Sequence, residues 1–570
     1  MLNTRYRDGS IGYHSRTADP EVTHLAFADD IMIFFDGEKK SLENIVETMD
    51  VFATWSGLRM NKDKTEIFVG GLNQAETTDL TALGFHLGSM PIRYMGLPLM
   101  HRKLRIADYR PLLQKISAKF TAWSVKKLSY AGRAQLISSD IYGTINFWTS
   151  AFVLPKGCIK QIQSLCSRFL WTGNIIDKGV AKIAWNTVSL PKPEGGLGMR
   201  DFATWNKTLC LKLIWRLYAP NPSLWATWIR KYKIGNDNFW NLDAKKAGSS
   251  TWRSILNLRP PASNFLRADL GDGKNISFWW DYWTPLGRLI DLFGSTGPRE
   301  LSIPLFATVS DSCDDNGWRL RGARSPAAES LQIHLTNILL PSLSQSSDEF
   351  IWLVDGDALT SYSASRTWEA LRNRDVTVPW AESIWFKSAT PRHAFLMWIA
   401  QNDRMPTRAR LLSWGLGNSA NCCLCDSTIE SRDHLLLRCE VSKQIWTLIL
   451  RRLGYNHSGF HTWTAFVEWL SLKDSYAPLV LKRLVSHATI YCIWAERNKR
   501  FHDGTSSTPA TICKLIDRNI RDTILGKQHK KNYKTLMLSW LRASPMYTSI
   551  ISSKIEISII EVKMLQCMPL

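Results

Sequence analysis

Residues 422–439 read CCLCDSTIESRDHLLLRC, and they restrict the fold more than any other stretch. Cys422, Cys425, His434 and Cys439 follow the spacing C-x2-C-x8-H-x4-C. Two thiolates separated by two residues can grip one ion from a tight knuckle. A His and a Cys five positions apart can reach the same ion from about one helical turn. Three Cys and one His make a closed structural zinc set with no open catalytic position. Cys423 is an extra thiol, either a small buried residue or a substitute ligand. A redox Cys-x-x-Cys is the weaker alternative, because no thioredoxin-like strand precedes it. A chance cluster of free thiols is the other. The chain has 11 Cys in 570 residues, and those outside this segment are scattered. That fits a reducing compartment with one metal site, not a disulfide framework.

A second feature lies near the start. In THLAFADDIMIFFDG, Thr23 to Gly37, Asp29 and Asp30 interrupt two apolar runs. The pattern predicts a strand, a tight turn and a strand over 22–35, with the acids at a turn between buried strands. Carboxylates rarely stand inside an apolar segment unless they occupy a turn or bind something. A plain hairpin with a soluble turn is one reading. A Mg²⁺ site for phosphate chemistry is the other, since such metals need carboxylates on a rigid, exposed turn.

Charge points to the partner. Lys plus Arg is 71 against 50 Asp plus Glu, a formal net of +21. A surplus of this size favours an anionic partner, most commonly nucleic acid, over a merely soluble surface. KQHKKNYK, Lys527 to Lys534, is the densest basic run and reads equally as a disordered tail. The 26 Trp are mostly spaced as helix-core residues, and some could stack on unpaired bases. No run approaches membrane-span length, and the N-terminus does not read as a signal peptide, so an intracellular site, nuclear or cytoplasmic, is expected.

Along the chain, 41–55 has helical periodicity with Ser41 as N-cap and Glu43 in the first turn. RMNKDKTEIFVGG predicts a turn and strand, and PIRYMGLPLM a short strand and turn held by Gly96 and Pro98. Leu112, Ile116, Phe120 and Trp123 form one apolar stripe, and Ile159, Ile162, Cys166 and Phe169 another. Between them Ser129 can cap a helix through Ile137. GDGKNISFWWD, Gly271 to Asp281, lacks the Gly spacing and the Ser or Thr of a phosphate loop, and predicts a hairpin turn leading into a buried aromatic strand. Residues 286–345 read as a loose connection. A hairpin around Asp355–Gly356 and a helix follow. Residues 478–525 are mostly helical, with a stripe at Leu481, Leu484, Ala488 and Tyr491.

FADD, followed by SGLRMNKDKTEI and YMGLPL, resembles the C-terminal part of a reverse-transcriptase palm, in the order seen in plant LINE-type (non-LTR) retrotransposons. WFKSATPRHAFLMWIAQNDRMPTRARLLSWG, the Cys cluster and IWAERNKRF resemble the zinc-binding domain and helix that follow the polymerase in that family. LSYAGRAQLI resembles its thumb, and the resemblance makes Arg133 within it a nucleic-acid-binding candidate. The resemblance implies an α+β fold: a partial palm (1–100), a helical thumb (101–180), a Trp-rich connection (181–345), a hairpin–helix segment (346–380), a zinc-binding domain (381–455), a helical region (456–525) and a poorly ordered tail (526–570).

It also implies roles. Asp29 and Asp30 are the catalytic Mg²⁺ carboxylates, Lys64 faces the incoming nucleotide's phosphates, and Tyr94 and Gly96 lie where the primer is gripped. Arg404, Arg408 and Arg410, with Arg432 and Arg438, would contact phosphates of the RNA template or target DNA. The only small-molecule substrates are deoxynucleotides. The family needs a further Asp on an earlier strand, and only 28 residues precede Asp29. Asp8 and Asp19 lie in turn-like contexts, so a truncated polymerase without fingers or first catalytic Asp is expected, inactive by itself. The rivals are a non-enzymatic zinc-dependent nucleic-acid-binding protein and the product of a decayed element, the tail being consistent with read-through.

Overall fold

The computed structural model describes residues 1–542 except 101, 126, 127, 178, 457, 458 and 530. The side chains of 531, 532, 534 and 542 are also outside the described set. The segment expected as read-through, 546–570, lies outside the described residues; within the expected tail 526–570, residues 531–542 form a helix that buries Trp540. The fold is mixed helix and strand, mostly helical. Its described strands form five small sheets, the largest with three strands. No described helix is long and apolar enough to cross a membrane. Two compact units interleave along the chain: 1–115, 143–161 and 202–372 form the first, and 116–142, 162–201 and 373–570 the second.

In the first unit the expected strand–helix–strand order appears as separate strand pairs. His24–Phe27 pairs antiparallel with Asp30–Ile33, and Glu66–Ile67 pairs parallel with His86–Leu87. Ile92–Tyr94 and Leu97–Leu99 make a hairpin, two strands where one was expected, with Pro98 opposite Arg93. The helix Lys39–Ser56 begins before Ser41. Ser41 is not its cap: it is buried inside the helix, where its hydroxyl accepts the Gly12 amide at 3.0 Å.

The Trp-rich part forms two apolar cores. One gathers Trp215, Trp240, Trp252, Leu266 and Trp352 around the three-stranded sheet of Leu266–Asp269, Glu349–Val354 and Asp357–Leu359. The other gathers Phe278, Trp279, Leu289, Phe293, Leu301 and Leu331. Residues 286–345 are therefore not a loose connection. Ser325 caps the helix Pro326–Leu335, which buries Ala328, Leu331 and Leu335, and the helix Leu289–Phe293 buries Leu289 and Phe293. Asn206 is buried, donates to the carbonyls of Thr149 (2.9 Å) and Phe152 (2.8 Å), and accepts the Leu154 amide (2.7 Å). It thus satisfies carbonyls left open where the Tyr142–Ala151 helix ends.

The GDGK segment is not a hairpin. Gly271 and Gly273 amides donate to Asp348 Oδ1 at 2.9 and 2.8 Å, and the Asn275 amide to Oδ2 at 2.8 Å. The loop closes around an internal carboxylate, a nest of amides filled by the protein's own anion. Gly273 has φ +70°, and an added Cβ would lie 2.7 Å from the Ser310 nitrogen, so only glycine fits.

In the second unit the helix Tyr130–Leu136 is capped by Ser129, whose hydroxyl accepts the Gly132 amide. Phe120 stacks on Phe169 at 4.6 Å, joining the two apolar stripes read from the sequence. The helix Leu479–Asp503 is the longest described and is buried on all sides from Leu481 to Ile490.

Candidate functional site

The FADD acids lie on a hairpin whose register pairs Phe27 with Asp30. Ala28 and Asp29 make the two-residue turn, with Ala28 at φ +51°, and Asp30 opens the second strand. The strands are not buried as expected. Phe27 is 59% and Ile31 44% exposed, and both acids are exposed. Among the described residues the hairpin pairs with no third strand, and of its apolar side chains only Met32 and Ile33 at its far end are half-buried, Ile33 against Tyr6, Ile11 and Ile45. Among the described residues, no third His, Cys, Asp or Glu joins Asp29 and Asp30 in a set able to hold an ion. Asp19 pairs with Lys231, and Asp8 accepts the Ser10 amide at 2.9 Å.

Lys64 is exposed on a short 3-10 turn held by Asn61, whose side chain accepts the Lys64 amide. Tyr94 closes its strand half-buried, and Gly96 sits in the following turn at φ +78° beside Met95 at +52°. That turn needs left-handed residues, which accounts for Gly96 without a ligand.

The Cys/His set is brought together in the second unit. The ligand atoms of Cys422, Cys425, His434 and Cys439 all lie within 4.8 Å of one another. Cys422 and Cys439 sulfurs are 3.9 Å apart, and Cys425 Sγ is 3.3 Å from His434 Nε2. A tetrahedron with Zn–S bonds of ~2.3 Å has edges of ~3.8 Å, so these side chains fit zinc with little adjustment.

Local structure aims each one. The Leu424 amide donates to Cys422 Sγ at 3.4 Å, and Ser427 Oγ donates to Cys425 Sγ at 3.2 Å. His434 opens a π-helical turn, His434–Arg438, and Cys439 caps the helix Glu440–Arg452. The hydrogen bond from Cys422, with amides of Val441 and Ser442, draws the Cys439 thiol down. Burial, then the Arg438 charge, lowers His434 and favours the neutral imidazole a metal needs. Cys423 lies outside the set, with burial pushing its thiol up to about 11.

The loop is closed by Glu430, a residue the sequence reading passed over. It is fully buried and accepts the amides of Arg408 (2.8 Å) and Cys423 (3.0 Å). Arg497, in the IWAERNKRF helix, donates its Nε to Glu430 Oε1 at 3.0 Å. A carboxylate between apolar and cysteine-rich runs was the only available signal.

The arginines divide. Arg408 reaches the Asn421 carbonyl, Arg410 pairs with Asp403 at 3.0 Å, and Arg432 pairs with Asp433 at 2.7 Å. Arg133 donates to the Leu170 carbonyl at 3.3 Å, at the end of the Lys156–Thr172 helix. Arg404 and Arg438 are exposed.

Residues 5–99 match the family described as reverse transcriptase (RNA-dependent DNA polymerase), and residues 362–446 that described as zinc-binding in reverse transcriptase. These matches support a reverse transcriptase of the plant retrotransposon kind. Among similar proteins, a "Putative ribonuclease H protein" of Arabidopsis thaliana is 27% identical over 382 residues, covering 66% of this chain and 60% of that protein. An uncharacterized mitochondrial protein of Arabidopsis thaliana is 28% identical over 145 residues, covering 25% of this chain and 94% of that protein. The reverse-transcriptase match holds the FADD hairpin, Lys64, Tyr94 and Gly96. The zinc-binding match holds all four clustered ligands.

Proposed function

We propose that this reverse transcriptase is of the LINE type and that the activity it carries by itself is zinc-dependent binding of RNA or DNA. The parent reaction is RNA-templated DNA synthesis, with an RNA template and target DNA as partners. There, Asp29 and Asp30 would hold Mg²⁺, which neutralises the phosphates of the incoming deoxynucleotide. The observation that carries the reading is the Cys422–Cys425–His434–Cys439 set, which meets zinc geometry inside the matched zinc-binding segment.

By itself this chain is expected not to polymerise. Two exposed acids on a two-stranded hairpin do not fix a metal pair against substrate, and misplacement of about 1 Å costs on the order of 100-fold. A non-enzymatic nucleic-acid-binding protein is the second reading, favoured by the same hairpin.

The test uses the purified, zinc-loaded chain. Binding to labelled RNA and DNA is followed by fluorescence anisotropy across salt, beside a primer-extension assay with Mg²⁺. Binding that weakens steeply with salt, without extension, is expected. Efficient extension would overturn the claim of inactivity, and absence of binding even at about 50 mM salt would overturn the claim of binding.

A further inference from the structure

A cavity of about 560 Å³ opens in the second unit among the Tyr130–Leu136, Pro391–Gln401 and Leu479–Asp503 helices. This lies within the ~300–1,000 Å³ typical of small-ligand sites. Five aromatic rings line it: Tyr130, Phe395, Tyr491, Trp494 and Phe501. Tyr130 stacks on Phe395 at 5.4 Å, nearly parallel, which holds that wall flat. Tyr491, Trp494, Asn498 and Phe501 recur at helical spacing on one face of their helix. Trp494 is half-buried and Phe501 39% exposed, so this wall is open to solvent.

Cations stand against the rings. Lys182 Nζ lies 5.4 Å from the Tyr130 centroid, and the Arg392 guanidinium 5.1 Å from that of Tyr491. Lys182 has no carboxylate partner among the described residues, and Arg392 donates to the neutral Asn519 side chain. Arg497 also lines the cavity, but Glu430 already neutralises it. Among the described residues, no Asp or Glu lines the cavity.

We propose that this cavity seats one unpaired nucleotide of a single-stranded nucleic acid, its base against Trp494 and Tyr491 and its phosphate toward Lys182 and Arg392. Every base offers a π-face for stacking, and the backbone supplies the negative charge that the lining lacks. A duplex keeps its base faces hidden, and an acidic peptide offers charge without the flat ring. The Asn498 amide can meet a base edge. The proposal rests on the reading that this chain binds nucleic acid, and it names the site and the strand state.

The test uses the zinc-loaded full chain with a labelled oligo-dT, a duplex of equal length and poly-glutamate as competitor. Trp494→Leu is expected to weaken oligo-dT binding ~10-fold, Trp494→Phe to restore most of it, and duplex binding to stay unchanged. Lys182→Glu, an unpaired rim substitution, is expected to weaken oligo-dT binding by a similar factor and reduce the salt slope by about one. Zinc content and circular dichroism report folding. If Trp494→Leu fails to fold, Lys182→Glu decides. Wild-type oligo-dT affinity in a folded Lys182→Glu or Trp494→Leu chain overturns the cavity assignment while leaving nucleic-acid binding intact. Equal competition by poly-glutamate overturns base recognition. If the unaltered chain binds neither oligonucleotide, the broader binding reading fails and the cavity proposal with it.

Discussion

Arg497 and Glu430 form an ion pair shut away from solvent, with side-chain exposures of 2% and 0%. Glu430 spends its remaining acceptor capacity on the amides of Arg408 and Cys423. One carboxylate therefore ties the long Leu479–Asp503 helix to the loop that carries the metal ligands.

Removing one partner leaves the other charge buried without compensation. Arg497→Met is expected to cost about 3–5 kcal/mol, read as a drop in thermal midpoint of the second unit. The double variant Arg497→Met with Glu430→Gln is expected to lose less than the sum of the single variants. Strict additivity in that cycle would show that the two residues are not coupled.

Zinc is expected to hold the 422–439 loop. Cys425→Ser with His434→Ala should abolish bound zinc and raise amide exchange across residues 420–442, because binding free energy here is folding free energy. Chelation of the unaltered protein should reproduce the exchange pattern. Unchanged zinc content in the double variant would sink the site.

His487 makes the second unit acid-sensitive. Burial lowers its pKa from 6.5 to about 4, its Nε2 donates to the Ser383 carbonyl at 3.0 Å, and Nδ1 has no partner among the described residues. The folded state thus disfavours the proton that the unfolded state takes up. The stability this group contributes is present above pH 6.5 and is lost as pH falls towards 4, up to about 3 kcal/mol. His487→Gln keeps a donor for Ser383 and should flatten this part of the denaturation curve relative to the parent. Identical pH profiles would refute the assignment.

Asp348→Ala should strand the amides of Gly271, Gly273 and Asn275. A loss of about 3 kcal/mol is expected in urea unfolding of the first unit, with bulk phosphate recovering part of it by entering the nest. Full stability in the variant would mean that solvent already satisfies these amides.

The Cys/His cluster was legible because its spacing is local. Four ligands within 18 residues leave few ways to close, so C-x2-C-x8-H-x4-C carried the geometry in itself. The apolar stripes at Leu112 to Phe120 and Ile159 to Phe169 were legible for the same reason, since helical period alone assigns their face. Ser41 misled because a cap residue is also at home inside a helix when a backbone amide, here that of Gly12, reaches its hydroxyl. Residues 286–345 misled because turn-rich composition says nothing about how a few spaced Leu, Ile and Phe pack.

The sequence by itself carried the reverse-transcriptase resemblance, the Cys/His cluster and the acidic hairpin, all of which depend on residues close in the chain. Tertiary structure alone decided the rest. The partner of Glu430 lies 67 positions away, the anion in the GDGK loop is Asp348, and the cavity's rings come from three separate helices. Burial decided as well: the FADD strands look like core strands in the sequence, yet around the acidic turn they stand exposed, because no further strand among the described residues pairs with them. Side-chain spacing is set by covalent geometry, whereas burial and charge pairing depend on which distant segment arrives to fill the space.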